Sequence, residues 1–391
     1  MSSNVRFGII GFGNMGKGHA TYLANGEVPG ATLAAVTDAI PASIAAAKEK
    51  YGDRLSYFDS PQAMYASGKI DAVLIATPHY DHVPLATAAL NAGIHVLVEK
   101  PAGVFTREVR QLNALADKAK AIYGIMFNQR ARGAHQKVRE LVASGELGEI
   151  RRTEYVITNW LRSQAYYNSG GWRGTWAGEG GGVLMNQCPH NLDLFQWFCG
   201  MPARLRAFCK FGHLHHIEVE DSVTAYLEYA NGATGVFITT TGEAPGVNRL
   251  EIAGDRGRLV LENDAITFHR TRSSVAELIR DTPNSFPSIE TWTISVPTGA
   301  PGEEHKGITK NFTQAVLTGS PLLAKGQEGI NGLALANAML LSTWIDNWVT
   351  IPFDDDLYYN ELQKRIATST YKKPPVQAAI VDMAASKPGG K

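Results

Sequence analysis

Apolar residues fall in short unbroken runs through the first third of the chain and alternate with polar ones through most of the remainder. In residues 1–126 the runs VRFGIIG, TLAAVTD, DAVLIAT, IHVLVEK and AIYGIMF read as strands buried on both faces. Ala-rich mixed stretches over 14–25, 41–51, 80–92 and 105–120 read as helices between them. Such alternation predicts a parallel sheet covered on both sides. After Phe127 the period changes. A helix over 132–144 precedes seven segments: EIRRTEYVITNW, ARLRAFCKF, DSVTAYLEYANG, TGVFITTTG, NRLEIAGD, GRLVLEN and AITFHR. Their alternation, with turn signals at Asn231-Gly232 and Asp255-Arg256-Gly257, predicts a large, mostly antiparallel sheet. Helices return over 304–318 and 327–348, and the last twenty residues, rich in Lys, Pro, Ala and Gly, predict a loose tail.

With 391 residues the chain can form two domains. Lys+Arg and Asp+Glu both number 37, so neither nucleic acid nor an anionic membrane is an expected partner. Three cysteines (Cys188, Cys199, Cys209) do not make a disulfide framework, and there is no C-x-x-C spacing. There is no basic leader with an apolar core and no apolar run long enough for a membrane span. A cytoplasmic protein is expected.

Composition leaves function open, but the first strand does not. It runs into GFGNMG and then a helix, which is the context a G-x-G-x-x-G loop needs to bind a dinucleotide. Gly11 permits the tight turn, Gly13 lets backbone approach a pyrophosphate, and Gly16 lets helix pack on strand. Asp38 closes the second strand, 22 residues beyond Gly16. A carboxylate there accepts both ribose hydroxyls and repels a 2′-phosphate, and no Arg or Lys follows closely, so NAD is expected over NADP. Thr77-Pro78 ends DAVLIAT, at the carboxyl end of a strand where ligands gather; His82 borders the cofactor or packs between domains. The tripeptide Glu99-Lys100-Pro101 ends a further strand, placing a lysine where the reactive ring should lie.

These pieces carry a resemblance. GFGNMG, the run ATPHYDHVPLATAALNAGIHVLVEKP, NQR at 128–130 with SGELGEI after it, GGGVLMNQCPHNLD at 180–193 and GLALANAMLLS at 332–342 are similar to the Gfo/Idh/MocA oxidoreductases over nearly the whole chain. The resemblance implies an α/β Rossmann domain (1–126), then an α+β substrate-binding and oligomerisation domain with a large open-faced sheet (127–371), then a tail (372–391). It implies a homodimer or homotetramer and NAD(P)-dependent oxidation or reduction of a sugar, cyclitol or related carbinol. The implied cofactor contacts are Gly11, Phe12, Gly13, Asn14, Met15, Gly16, Asp38, Thr77, Pro78, His82, Glu99, Lys100 and Asn128. Lys100 matches the active-site lysine, in a context that often holds a cis-proline, and His190 matches the catalytic histidine. Asn186 stands where many members place an aspartate; an aspartate could raise the basicity of His190, whereas an amide only orients it. Cys188-Pro189 replaces a commoner Gly-containing dipeptide.

Carbinol oxidation needs a hydride acceptor and a base for the hydroxyl proton. His190 titrates near neutrality and suits the base. Asn186 is four residues earlier, so a helix would put both on one face, with Asp193 near His190 or turned to the interior and Pro189 kinking the segment. Lys100 can stabilise alkoxide charge, or act as base if burial lowers its proton affinity. Residues 159–176 are dense in aromatic and polar side chains, including Asn159, Trp160, Arg162, Tyr166, Tyr167, Asn168, Trp172, Arg173 and Trp176. Flat faces stack on sugar C–H surfaces while amides and guanidinia bind hydroxyls, so Trp160, Arg162, Tyr166, Trp172 and Arg173 are expected to join Lys100, Asn186 and His190 around a pyranose or glycoside, with ring C3 an attractive position. HLHHIEVED (213–221) would place His213 and His215 on one strand face, but two imidazoles make a poor metal site and no metal is expected. His305 is a further, weaker pocket candidate. Two other functions use the same residues: a glycosidase that oxidises, eliminates, adds water and re-reduces on retained NAD, and a non-catalytic dinucleotide sensor.

Overall fold

In the computed structural model, which describes residues 4–376, the chain divides into two compact units. One runs to Ala131 and takes in Gly302–Leu333; the other comprises Arg132–Pro301 and the residues from Ala334 onward. The first holds six parallel strands: β1 (Val5–Ile10), β2 (Ala31–Thr37), β3 (Ser56–Phe58), β4 (Ala72–Ile75), β5 (His95–Val98) and β6 (Tyr123–Ile125). Their order is β3-β2-β1-β4-β5-β6, so the order reverses between β1 and β4, the crevice where doubly wound sheets bind nucleotides. Five of the six are the apolar runs; β3 has three half-buried residues, too few to show a period. The segment 302–333, which the sequence pattern places in the second domain, belongs to the first unit. Phe312 on the helix Glu304–Thr318 packs 6.0 Å from Phe7 of β1, and Ile125 N donates to Ala324 O at 3.2 Å. This return of the chain is non-local, and no local period reports it.

The second unit is built on nine strands: β7 (Ile150–Ile157), β8 (Arg204–Phe211), β9 (Glu220–Glu228), β10 (Thr234–Thr240), β11 (Asn248–Gly254), β12 (Gly257–Glu262), β13 (Ala265–Thr271), β14 (Thr291–Val296) and β15 (Val349–Thr350). The order is β14-β13-β12-β11-β7-β10-β9-β8-β15, with β7 and β10 parallel and the other pairs antiparallel. Seven are the alternating segments. β14 alternates too, but its first five residues are exposed; β15 has two residues. One face of the sheet is apolar and buried: Phe195 of the helix Pro189–Cys199 packs 6.1 Å from Tyr155 and 5.9 Å from Phe237. The other face leaves Phe208 and Tyr226 exposed. The helix Asp355–Thr368, capped by Asp354 Oδ1, was not visible in the pattern. No helix of the described residues is long and apolar enough to cross a membrane.

Candidate active site

The glycine loop after β1 allots its three glycines different tasks. Gly11 holds φ +89°, and a Cβ there would lie 2.7 Å from Ala76 O. A Cβ on Gly16 would run into Gly11 O. Around Gly13 there is open space, with nothing within 4 Å of where a Cβ would stand. Gly13 caps the helix Asn14–Ala24, whose first turn holds no acid and whose cap makes no side-chain bond. Its amide end is therefore open and positive, as a pyrophosphate requires. Asp38 is held against this loop: Oδ2 accepts from Phe12 N at 2.5 Å and Oδ1 from Ile40 N at 2.7 Å. Phe12 meets the loop through its backbone, since its ring is buried edge-on to Tyr51. Thr77, past the end of β4, has a buried Oγ1 with no hydrogen-bond partner among the described residues. An open glycine floor, a fixed carboxylate and an unused hydroxyl at the switch point fit a dinucleotide.

Lys100 follows β5 and precedes a cis peptide to Pro101. Behind it is a buried relay. Glu99 Oε1 lies 2.7 Å from His19 Nε2, His19 Nδ1 lies 2.7 Å from the Tyr22 hydroxyl, and that hydroxyl lies 2.8 Å from Thr309 Oγ1. Glu99 Oε2 accepts from Lys100 N at 3.1 Å. Burial alone would push the Glu99 carboxyl up; the bond to His19 and the charges of His19, His305 and Lys100 outweigh it and hold the group down at about 2. A carboxylate thus persists in a dry place beside Lys100. His82 stands with Nδ1 2.7 Å from Pro101 O and Nε2 2.9 Å from Thr77 O, so it braces the turn after Lys100 against the end of β4. Asn128 Nδ2 is 3.4 Å from His305 Nδ1, and the His305 ring lies 5.6 Å from that of His19.

In the second unit the segment 180–193 is set by Glu220. Its buried Oε1 accepts from Gly182 N at 2.8 Å and Leu184 N at 3.0 Å, and Val183 N donates to its backbone O at 2.9 Å. A Cβ on Gly182 would strike Glu220 O, so this approach needs glycine. Burial pushes the Glu220 carboxyl up to about 8 against the pull of those amides. The chain then turns: Asn186 N donates to Gly182 O at 2.9 Å and Cys188 N to Val183 O at 2.8 Å. Asn186 therefore lies in a turn, not on a helix with His190, which corrects the shared-face expectation. Pro189 does not kink a helix but begins one, in the first turn where its missing N–H costs nothing. His190 follows as the second residue of that helix and is 8% exposed. Asp193 is turned inward and accepts from Gln196 Nε2 at 3.0 Å.

The aromatic segment is cross-braced. The Arg173 guanidinium lies 4.5 Å over the ring of Tyr166 and 4.4 Å over Trp172, and donates to the Tyr166 hydroxyl at 2.6 Å. Gln187 Nε2 donates to the same hydroxyl at 3.1 Å. Arg162 lies 5.3 Å over both Trp160 and Tyr166. Trp160 is buried and donates to Asn191 Oδ1 at 3.2 Å, so it is wall rather than exposed platform. The HLHH segment is a turn, not a strand; Asp221 Oδ2 holds it through Leu214 N at 2.7 Å and His215 N at 3.0 Å. Among the described residues no group of three or more His, Cys, Asp or Glu is placed to hold a metal ion.

Sequence reasoning named the loop, Asp38, Lys100 and the aromatic segment as candidates, and passed over three residues that the structure bonds to the second-unit candidates. Glu179 is fully buried, accepts from Gly174 N at 2.6 Å and bonds Asn186 Nδ2; its signal was a carboxylate directly before the glycine run. Glu220 gave none, being 38 residues from Gly182. Lys373, which the pattern assigned to the tail, donates to the carbonyls of Tyr167 and Arg173 and so closes the aromatic segment. Residues 377–391 of that expected tail lie outside the described residues.

Comparison with known proteins fits this geometry. Residues 5–127 match the family described as "Oxidoreductase family, NAD-binding Rossmann fold", and 135–260 match the "GFO/IDH/MocA C-terminal domain". Inositol 2-dehydrogenase of Rhizobium meliloti is 26% identical over 343 residues, 86% of this chain and 96% of that protein. D-glucoside 3-dehydrogenase of Escherichia coli K12 is 33% identical over 253 residues, 59% of this chain and 68% of that protein. The WlbA dehydrogenase of Chromobacterium violaceum, solved with NADH and UDP-GlcNAcA, superposes with a TM-score of 0.78 at 26% identity over 90% of this chain and 98% of its own. Glycine loop, parallel sheet and second-unit sheet agree with these matches, and the chain belongs to the Gfo/Idh/MocA family of NAD(P)-dependent oxidoreductases.

Proposed function

We propose that the protein is an NAD-dependent dehydrogenase of a ring secondary hydroxyl on a sugar, glycoside or cyclitol, with C3 of a pyranoside as the first position to test. The observation that carries this reading is the buried Glu99–His19 pair beside Lys100, in the unit that also holds the Asp38-sealed glycine loop. A carbinol loses a hydride and a proton on oxidation. Bound NAD supplies the hydride acceptor. The proton needs a base within hydrogen-bond reach, and we assign it to His190. Lys100, whose backbone N–H is held by Glu99, is suited to steadying the oxygen as negative charge develops. Asn186 orients the reacting hydroxyl. Tyr166 and Trp172, stiffened by Arg173, supply flat faces for the C–H surface of a ring.

NAD preference rests on Asp38, whose carboxylate is fixed at the loop while the next residues, Ala39 and Ile40, carry no charge for a 2′-phosphate. The C3 assignment is supported by the glucoside 3-dehydrogenase relative, and the cyclitol option by the inositol 2-dehydrogenase. The test is a panel of free sugars, glycosides and inositols with NAD and with NADP, read by NADH absorbance and product analysis. A 3-keto glycoside formed with stoichiometric NADH is expected. Absence of substrate-dependent NADH across the panel refutes the reading.

A further inference from the structure

The second unit holds a carboxyl group that the proposed chemistry does not yet use. Glu179 is 1% exposed. Its Oε2 accepts from Gly174 N at 2.6 Å, and its Oε1 accepts from Asn186 Nδ2. The amide nitrogen donates this bond, which fixes which way the Asn186 amide faces. Nδ2 turns to Glu179, and the carbonyl Oδ1 turns away from it.

We propose that Glu179 is the positioning residue of Asn186, and that positions 179 and 186 form a matched pair holding one carboxylate between them, set back from the reacting hydroxyl by one amide. This rests on the dehydrogenase reading for its catalytic consequence, but not for the pair itself. The pair explains the amide at 186. A carboxylate at 186 would stand within hydrogen-bond reach of buried Glu179, and two carboxyls so placed share a proton rather than both ionise. The expectation that Asn186→Asp simply raises the basicity of His190 is thereby replaced: the new carboxyl would be coupled to Glu179 first.

Burial pushes the Glu179 carboxyl above the ordinary carboxylate range, and the charge of Arg173, the bonds from Asn186 and Gly174 and the charge of Lys373 offset only part of that push. Tyr166, Tyr167 and the high-titrating Glu220 also feel its charge. Ionisation at 179 is thus already costly, and a second acid at 186 would make it costlier.

The test is the reciprocal swap in the full chain: Glu179→Gln, Asn186→Asp and the double variant Glu179→Gln/Asn186→Asp. Each single change should lower kcat about tenfold or more with little change in KM, and Asn186→Asp should add a titration to the kcat–pH profile. The double variant again holds one carboxylate and one amide, and it should regain most of the lost turnover. A loss in the double equal to the product of the single losses overturns the proposal, as does an unchanged kcat–pH profile in Glu179→Gln. Thermal midpoints of the same three variants between pH 6 and 9 give a readout independent of activity. Asn186→Asp should fall further below the wild type as pH rises, and the double variant should recover. If the wild type oxidises nothing in the panel while this coupling in midpoints is present, the function fails and the pair stands; additive midpoints overturn the pair whatever the activity.

Discussion

Glu220 offers a sharp test of how the second unit is built. The perturbation is Glu220→Gln, which keeps the shape and the acceptor for Gly182 N and Leu184 N but cannot ionise. In the folded chain the carboxyl is pushed up to about 8 from an ordinary 4.5, because it is buried and its Oε2 has no partner among the described residues. Between those two values the folded state holds a proton that the unfolded chain has released. Stability therefore falls as pH rises through this window, at about 1.4 kcal/mol per pH unit. The full loss from 4.5 to about 8 is at most about 5 kcal/mol, and no more accrues above it. The glutamine variant does not suffer it. The two proteins should match near pH 5, and the variant should be the more stable by about pH 8.5. At about 2–4 °C per kcal/mol the upper bound is a gap of about 10–20 °C. The assay is the midpoint of unfolding of wild type and variant across this range, taken as a difference so that other titrations cancel. A difference that stays constant with pH refutes the reasoning.

Asp38→Ala should erode the preference for NAD over NADP without abolishing turnover, and equal efficiency with both cofactors in the wild type contradicts the preference. Lys100→Ala should cost about 10²–10³ in kcat and His190→Ala about 10²–10⁴, with NAD affinity by titration nearly unchanged; normal turnover in His190→Ala with a dead Lys100→Ala makes lysine the base. His19→Gln removes the imidazole that hydrogen-bonds the buried Glu99 carboxylate, at a cost of about 1–3 kcal/mol; because the Glu99 carboxyl is held down at about 2, the stability it gives is present above its ordinary 4.5 and is lost as pH falls toward 2, so the gap between wild type and variant should close in acid, and a pH-independent gap speaks against this bond as the cause. The exposed sheet face sets Phe208 and Ile238 on either side of Thr224, and Tyr226 beside Val236, a largely apolar patch suited to a second copy; light scattering should give a dimer or tetramer, Phe208→Asp should weaken it, and a wild-type monomer at micromolar concentration overturns the assignment.

What the sequence made legible was local. Gly11, Gly13 and Gly16 sit within six residues of one another, and their roles follow from one turn and one helix start. Five strands of the first sheet and seven of the second announced themselves because burial on two faces or on one imposes a period on neighbouring residues. What stayed hidden was pairing across distance. His19 and Glu99 are 80 residues apart, and Glu220 reaches back 38 residues to Gly182. The helix Glu304–Thr318 joins the first unit through a contact between Phe312 and Phe7 that no window along the chain contains. Asn186 shows the cost of reading one position alone. Taken singly, it is an aspartate site that has lost its charge. Taken with Glu179, seven residues earlier and bonded to it, the proposed pair holds a carboxyl group one side chain back from that position. In that proposal the carboxyl acts through an amide that must be aimed, and the aim is set by a buried acid, a glycine turn and the Glu220 bonds that hold that turn. Substitutions at 179 and 220 should therefore register at the reacting centre although neither residue is expected to touch substrate.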